Sequence, residues 1–262
     1  MLNEILGMYF GDKKRRYQEM RIAWIDIAIA ECYSLDVVNN MQKQEIIMKR
    51  YAIFDMDGTL IDSIGRWGEV CRACLAEWNV VSDARYLAAE TGPMTFADAV
   101  AFLIKTYALP VSAEECEKML KKASEQMYFG PIPEKDGIRN YLTELKRYGV
   151  QMCVVSATPK YLVDACLECI GLLTFFDFTL SCEEVGAGKE NPAAFLKAAE
   201  RFGAKPEEIA VFDDSYGPLL TAKKAGFYTV AVYDAYASRW NDSVALADRV
   251  VMDWNEARKA DC

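Results

Sequence analysis

The stretch Tyr51-Ala-Ile-Phe-Asp-Met-Asp-Gly-Thr-Leu-Ile-Asp-Ser63 ends an apolar run on two aspartates, Asp55 and Asp57, followed by a glycine and a threonine. Two like charges resist burial and repel each other. A buried strand that closes on them makes sense if the chain emerges there from the core toward something positive. Tyr51–Phe54 therefore reads as a buried strand, and Asp55 and Asp57 as residues at its carboxyl end.

Downstream of this strand lies a helical region. Trp67, Val70, Cys71, Cys74, Leu75 and Trp78 recur at spacings of three and four and share one face. A second helix is predicted over Phe96–Tyr107 and a third from Ser112 to Met127, where Ser112 and Glu115 form a capping box. The run ends at Gly130-Pro-Ile-Pro133, a break suited to a linker. A second linker is expected at Ile64–Gly65.

Strict alternation follows. A helix over Gly137–Tyr148 stops at Gly149, and the strand Val150–Val155 comes next. Thr158-Pro159 opens another helix with proline at its first position, closed by Gly171. Phe178–Leu180 reads as a strand, Asn191–Phe202 as a helix, Ile209–Phe212 as a strand and Gly217–Ala225 as a helix. Strands at Tyr228–Tyr233 and Arg249–Met252 complete the pattern. Alternation of this kind implies an α/β fold, a doubly wound parallel sheet with helices on both faces and ligands at the carboxyl ends of its strands.

Composition narrows the chemistry. The 262 residues carry a formal charge of −9, which argues against general nucleic-acid binding. There is no histidine, so acid–base work falls to carboxylates, lysine, tyrosine or cysteine. Nine cysteines without a secretory signal point to a reducing compartment, the cytoplasm. The pairs Cys71/Cys74 and Cys166/Cys169 have CxxC spacing but lie in helical apolar patterns, where small buried side chains are the expectation. No apolar run reaches the length of a membrane span.

Residues 1–47 differ from the rest, with a basic cluster at Lys13–Arg16. Met48-Lys49-Arg50 stands directly before the first strand, as a natural start would. The extension is therefore expected to lie outside the native protein; the other reading is a helical arm packed on the domain.

Four strand or loop ends carry polar residues suited to acting together. They are Asp55, Asp57 and Thr59; Ser156; Lys189; and Asp213-Asp214. Four converging carboxylates call for a divalent cation, and oxygen ligands suit magnesium. Lys189 and Ser156 are then left to hold a phosphoryl group, and one aspartate can attack phosphorus while the other handles a proton.

Together these motifs resemble the haloacid dehalogenase superfamily over about residues 49–255, and the insertion resembles its α-helical C1 cap. The resemblance implies a Rossmann-like core at 48–63 and 131–262 and a cap at 64–130. It implies Asp55 as nucleophile and Asp57 as acid, then base. Thr59, Ser156 and Lys189 would bind phosphate. Asp55, the Asp57 backbone carbonyl, Asp213 and Asp214 would hold Mg2+.

Thr91, Gly92, Pro93 and Met94 resemble the substrate-specificity loop of this group. The implied function is a magnesium-dependent phosphatase acting on a small phosphorylated metabolite, with phosphoglycolate phosphatase and β-phosphoglucomutase as nearby types. The chain is expected to be a monomer or weak dimer. A β-phosphoglucomutase-like sugar-phosphate mutase and a non-catalytic phospho-ligand-binding protein remain alternatives.

Overall fold

A computed structural model of the protein describes residues 49–92 and 94–257. The reading of residues 1–47 as an extension lies outside the described residues. The described residues belong to one compact unit.

Its centre is β1 (Tyr51–Phe54), which pairs in parallel with β2 (Gln151–Ser156) on one side and β4 (Ile209–Asp213) on the other. Alternate β1 residues face opposite layers. Ala52 and Phe54 join one buried cluster, while Ile53 joins the second with Cys153 and Val211. Phe54 stacks on Phe212 of β4, with ring centroids 4.4 Å apart and planes 8° apart. A strand buried on both faces needs this continuous apolar run.

The sheet is completed by β3 (Phe178–Ser181), β5 (Tyr228–Val232) and β6 (Arg249–Val251), in the order β3-β2-β1-β4-β5-β6, all parallel. The order reverses direction beside β1, at the crevice between β1 and β4, where parallel sheets gather ligands. The fold class read from the sequence is the fold of the structure.

Between β1 and β2 run five helices: α1 (Ile64–Ala76), α2 (Ala84–Thr91), α3 (Phe96–Tyr107), α4 (Ala113–Tyr128) and α5 (Ile138–Arg147). Helices α1 to α4 enclose an apolar cluster of their own, built on Trp67, Cys71, Leu75, Leu87, Phe96, Leu103 and Leu120. Ser112 caps α4 with the capping box that Glu115 completes. Beyond β2 come α6 (Lys160–Cys169), α7 (Ala193–Phe202), α8 (Tyr216–Lys224) and α9 (Trp240–Leu246).

Three local expectations are corrected. Ile64–Gly65 is the first turn of α1 rather than a free linker. Pro159 is not the first helical residue; it caps α6 in an extended conformation, φ −51° and ψ 136°. That stretch stays extended because Thr158 precedes a proline, which disfavours the helical region, and because both its backbone and side chain are engaged at the site. The sequence pattern also omits α2, whose buried residues are only Leu87, Ala88 and Thr91.

The reason α2 forms is tertiary. It lies so close to α1 that a Cβ on Gly68 would fall 2.1 Å from the Ala84 carbonyl oxygen. No side chain fits between the two backbones. Of the CxxC cysteines, Cys71, Cys74 and Cys166 are buried, Cys169 is exposed, and all are free.

Gly68→Ala is expected to destabilise the protein by about 1–3 kcal/mol by forcing α1 and α2 apart. Urea unfolding of the variant against the parent checks this; an unchanged midpoint would remove the close approach as a constraint.

Candidate active site

The polar residues sit where the apolar strands stop. The backbone N–H of Asp55 still donates to the Phe212 carbonyl at 2.9 Å, so Asp55 leaves the sheet held in register with β4. The chain then folds into a tight loop in which the Gly58 N–H donates to the Ile61 carbonyl and the Leu60 N–H to the Met56 carbonyl. Gly58 has φ +82°, and a Cβ there would meet the Asp214 carboxylate carbon at 2.8 Å. Glycine is required twice over, for its backbone conformation and for the space it leaves.

Asp213 closes β4 and Asp214 follows it. Lys189 arrives from the segment before α7. Its ammonium donates to Asp55 Oδ1 at 2.6 Å and to Asp213 Oδ2 at 2.8 Å, and all three groups are nearly inaccessible to solvent. Oxygens of Asp55, Asp213 and Asp214 come within 4.8 Å of one another. One ammonium cannot balance three buried carboxylates. This all-oxygen donor set with excess negative charge fits a hard divalent cation.

The protonation tendencies carry the same strain. Burial pushes Asp55 up to about 7, reinforced by Asp213 and Asp57 and opposed by Lys189. Burial, with Asp213, Asp55 and Asp234 alongside, pushes Asp214 well above the usual carboxylate range. Burial alone would lower Lys189, but Asp213 and Asp55 override it and hold the ammonium charged.

Asp57 lives differently. Its Oδ1 accepts from Ser63 Oγ at 2.6 Å and Tyr128 Oη at 2.8 Å, and its Oδ2 accepts from Thr158 Oγ1 at 2.8 Å. Burial raises its pKa, and the three hydroxyls pull the other way. The carboxylate is thus taken up by hydroxyls rather than by the Asp55–Asp213–Asp214 group, so any share of Asp57 in metal binding falls to its backbone. Two neighbouring aspartates have been given two environments.

One cavity collects these groups. Asp55, Asp57, Ser156, Lys189, Asp213 and Asp214 line it, together with Thr91, Gly92 and Met94 of the insertion. Pro93 lies outside the described residues. The Thr91 hydroxyl is already engaged, donating to the Leu87 carbonyl and accepting from Trp67 Nε1.

Thr59 is not brought to this cavity. It is fully buried, its carbonyl accepts from Trp254 Nε1 at 3.1 Å, and its hydroxyl has no protein partner. Thr59 follows the glycine turn at Gly58, and the structure does not bring it among the residues that line this cavity. The threonine that does face Asp57 is Thr158, whose backbone N–H also donates to Ser156 Oγ at 3.1 Å.

Sequence reasoning missed Tyr128, Ser63 and Thr158. The signal for Thr158 was its position two residues past Ser156 at a strand end. Tyr128 stands 71 residues from Asp57 at the end of α4, and no local pattern marks it.

Residues 49–226 match the family model described as haloacid dehalogenase-like hydrolase, more than half of the chain. The chain belongs to this family. It is 26% identical over 217 residues to validoxylamine A 7'-phosphate phosphatase of Streptomyces hygroscopicus subsp. limoneus, covering 80% of this chain and 97% of that one. It is 27% identical over 193 residues to a fructose-1-phosphate phosphatase of Escherichia coli, covering 70% and 97%. The crystal structure of CbbY from Rhodobacter sphaeroides in complex with phosphate has the same fold, with TM-score 0.68, 21% identity and coverage of 80% and 96%.

In metal-free protein kept in chelator, Asp214→Asn is expected to raise stability by about 0.5–2 kcal/mol near pH 8. A carboxyl whose folded pKa exceeds its unfolded value destabilises the fold wherever it must ionise. The gain is therefore full above the raised value, shrinks as pH falls through it, and vanishes below about 4, the unfolded range. Thermal unfolding across pH measures it; a variant less stable than the parent at pH 8 would contradict the crowding.

Proposed function

We propose that this hydrolase is a magnesium-dependent phosphatase that cleaves a small phosphate monoester through an aspartyl-phosphate on Asp55. The observation that carries the reading is the division of labour between the two aspartates. Asp55 lies against Lys189 beside two further carboxylates, whereas Asp57 is held only by hydroxyls at the same cavity. The phosphatases to which the chain is similar act on phosphorylated small molecules, which supports the substrate class.

Asp55, Asp213 and Asp214, with the Asp57 carbonyl, would hold Mg2+, which supplies positive charge to the phosphoryl oxygens when bound. An Asp55 carboxylate oxygen attacks phosphorus, and the bond to the ester oxygen breaks. Asp57, whose proton affinity burial raises, gives its proton to the departing alkoxide. The resulting Asp57 carboxylate then takes a proton from water, whose oxygen attacks the phosphorus of the aspartyl-phosphate and releases Asp55 and inorganic phosphate. Lys189 and Ser156 hold the non-bridging oxygens, and the Asp213 carboxylate stays beside the Lys189 ammonium while Asp55 is phosphorylated.

Ser63, Tyr128 and Thr158 are positioning residues. They fix the Asp57 carboxyl toward the leaving oxygen and adjust its proton affinity. We assign residues 64–130 as a cap over a core formed by 48–63 and 131–262, on the support of the separate apolar cluster of α1 to α4. The cap's Gly92 and Met94 then line the substrate space.

Phosphate release from a panel of monoesters tests the reading. Magnesium-dependent turnover is expected, abolished by chelator and reduced at least about 10³-fold in Asp55→Asn. Turnover that survives Asp55→Asn would end the nucleophile assignment. Tyr128→Phe, which removes one hydroxyl from the Asp57 carboxylate, is expected to lower kcat about tenfold and to move the acidic limb of its pH profile upward. A drop in kcat with an unmoved profile would mean that Tyr128 serves packing alone.

A further inference from the structure

If the cavity accepts a phosphate ester, the apolar side chains that line it receive the ester's other half. Ile64, Trp67, Met94, Phe96, Leu162 and Pro218 build this apolar wall. Trp67 and Phe96 pack with ring centroids 5.9 Å apart. Ile64, Trp67, Leu162 and Phe96 are buried, Met94 is half-buried, and none of the six carries a charge.

The one N–H among these six side chains, that of Trp67, is already bonded. Trp67 Nε1 donates to Thr91 Oγ1 at 2.8 Å, and the Thr91 hydroxyl donates onward to the Leu87 carbonyl at 2.7 Å. The other hydroxyls of the lining are engaged as well, Tyr128 and Thr158 with Asp57 and Ser215 Oγ with Asp214 Oδ2 at 3.4 Å. A hydroxyl-rich group placed there would leave water without finding replacement partners.

Charge points the same way. Among the described residues lining the cavity, Lys189 is the only cation, and it is committed to Asp55 and Asp213. Arg239 lines an adjoining cavity that shares Ile64, Gly92, Asp214, Ser215 and Pro218 with this one, where it donates to Asp242 at 2.7 Å and lies over the Tyr216 ring. Arg72 pairs with Glu69 at 2.6 Å, and Arg85 lies over the Tyr236 ring while donating to the Ala235 carbonyl. Neither they nor Arg66 line the cavity. Among the described residues lining the cavity no cationic side chain stands free of the phosphoryl end, so a second anionic group on the substrate would find no charged partner there.

We infer that the alcohol half of the substrate is uncharged and poor in hydroxyls, an alkyl or aryl group received by the Trp67–Phe96–Met94 wall. The inference rests on the phosphatase reading and narrows it: a carboxylate-bearing or doubly phosphorylated ester is excluded by the wall, not by the chemistry at phosphorus.

The test is steady-state phosphate release by the full chain in magnesium, with matched pairs of esters. 2-Phosphoglycolate and its carboxamide agree in size and differ in charge. Glycerol 3-phosphate and propyl phosphate agree in chain length and differ in hydroxyls. The uncharged and less hydroxylated member of each pair is expected to have at least about tenfold higher kcat/KM.

Met94→Arg, which places a cation at the rim of the wall, is expected to narrow the carboxamide-to-phosphoglycolate ratio by about tenfold. Phosphoglycolate turned over as well as its carboxamide by the parent protein would overturn the inference while leaving the phosphatase reading intact. A ratio unmoved by Met94→Arg would also overturn the wall as its source. Absence of release from every ester would instead remove the phosphatase reading, and the inference with it.

Discussion

Four carboxylates crowd one cavity with a single ammonium between them, and much of the structure is arranged to hold them there. Lys189 joins Asp55 to Asp213, leaving Asp214 without a cation of its own. Carboxylates in such a place raise their proton affinity or recruit a cation, and a phosphoryl-transfer site can use both responses. The cost is stability of the metal-free fold, the usual trade at a site shaped for chemistry.

The sheet makes the crowding possible. Parallel strands end together, so β1, β2 and β4 deliver Asp55, Ser156 and Asp213 to one edge without any helix or loop having to search for the others. The Asp55 N–H still bonded to Phe212 keeps the nucleophile candidate in register with the strand that supplies Asp213. Gly58 then lets the loop double back close to Asp214, where any side chain would collide. Asp57, just before this turn, enters a ring of hydroxyls, and so has different surroundings from a residue only two positions away.

Most of the fold was legible because its signals are local. Apolar runs punctuated by glycine mark β1, β2, β4 and β5 and the helices between them. The capping box marks α4, and left-handed glycines at 149 and 171 mark two helix ends. What escaped were elements with little buried surface. Helix α2 buries three residues, and α9 buries Ser243 alone, so neither prints an apolar period on the chain. The start of α6 was misplaced by one residue because Pro159 caps that helix rather than opening it.

The sequence by itself determined the parallel sheet, the carboxyl-end placement of Asp55, Asp57, Ser156 and Asp213, and the membership that their order implies. Each is encoded by neighbours along the chain: a strand's apolar run, a turn's glycine, a helix's spacing. Only the tertiary structure decided which partners surround each of these groups. The bonds from Tyr128 and Thr158 to Asp57 span 71 and 101 residues, and the pairing of Lys189 with Asp55 spans 134. It also brought apolar residues of the insertion, Ile64, Trp67, Met94 and Phe96, to the cavity. Contacts across such separations depend on how helices and strands dock, and docking is a property of packed surfaces that no local spacing records.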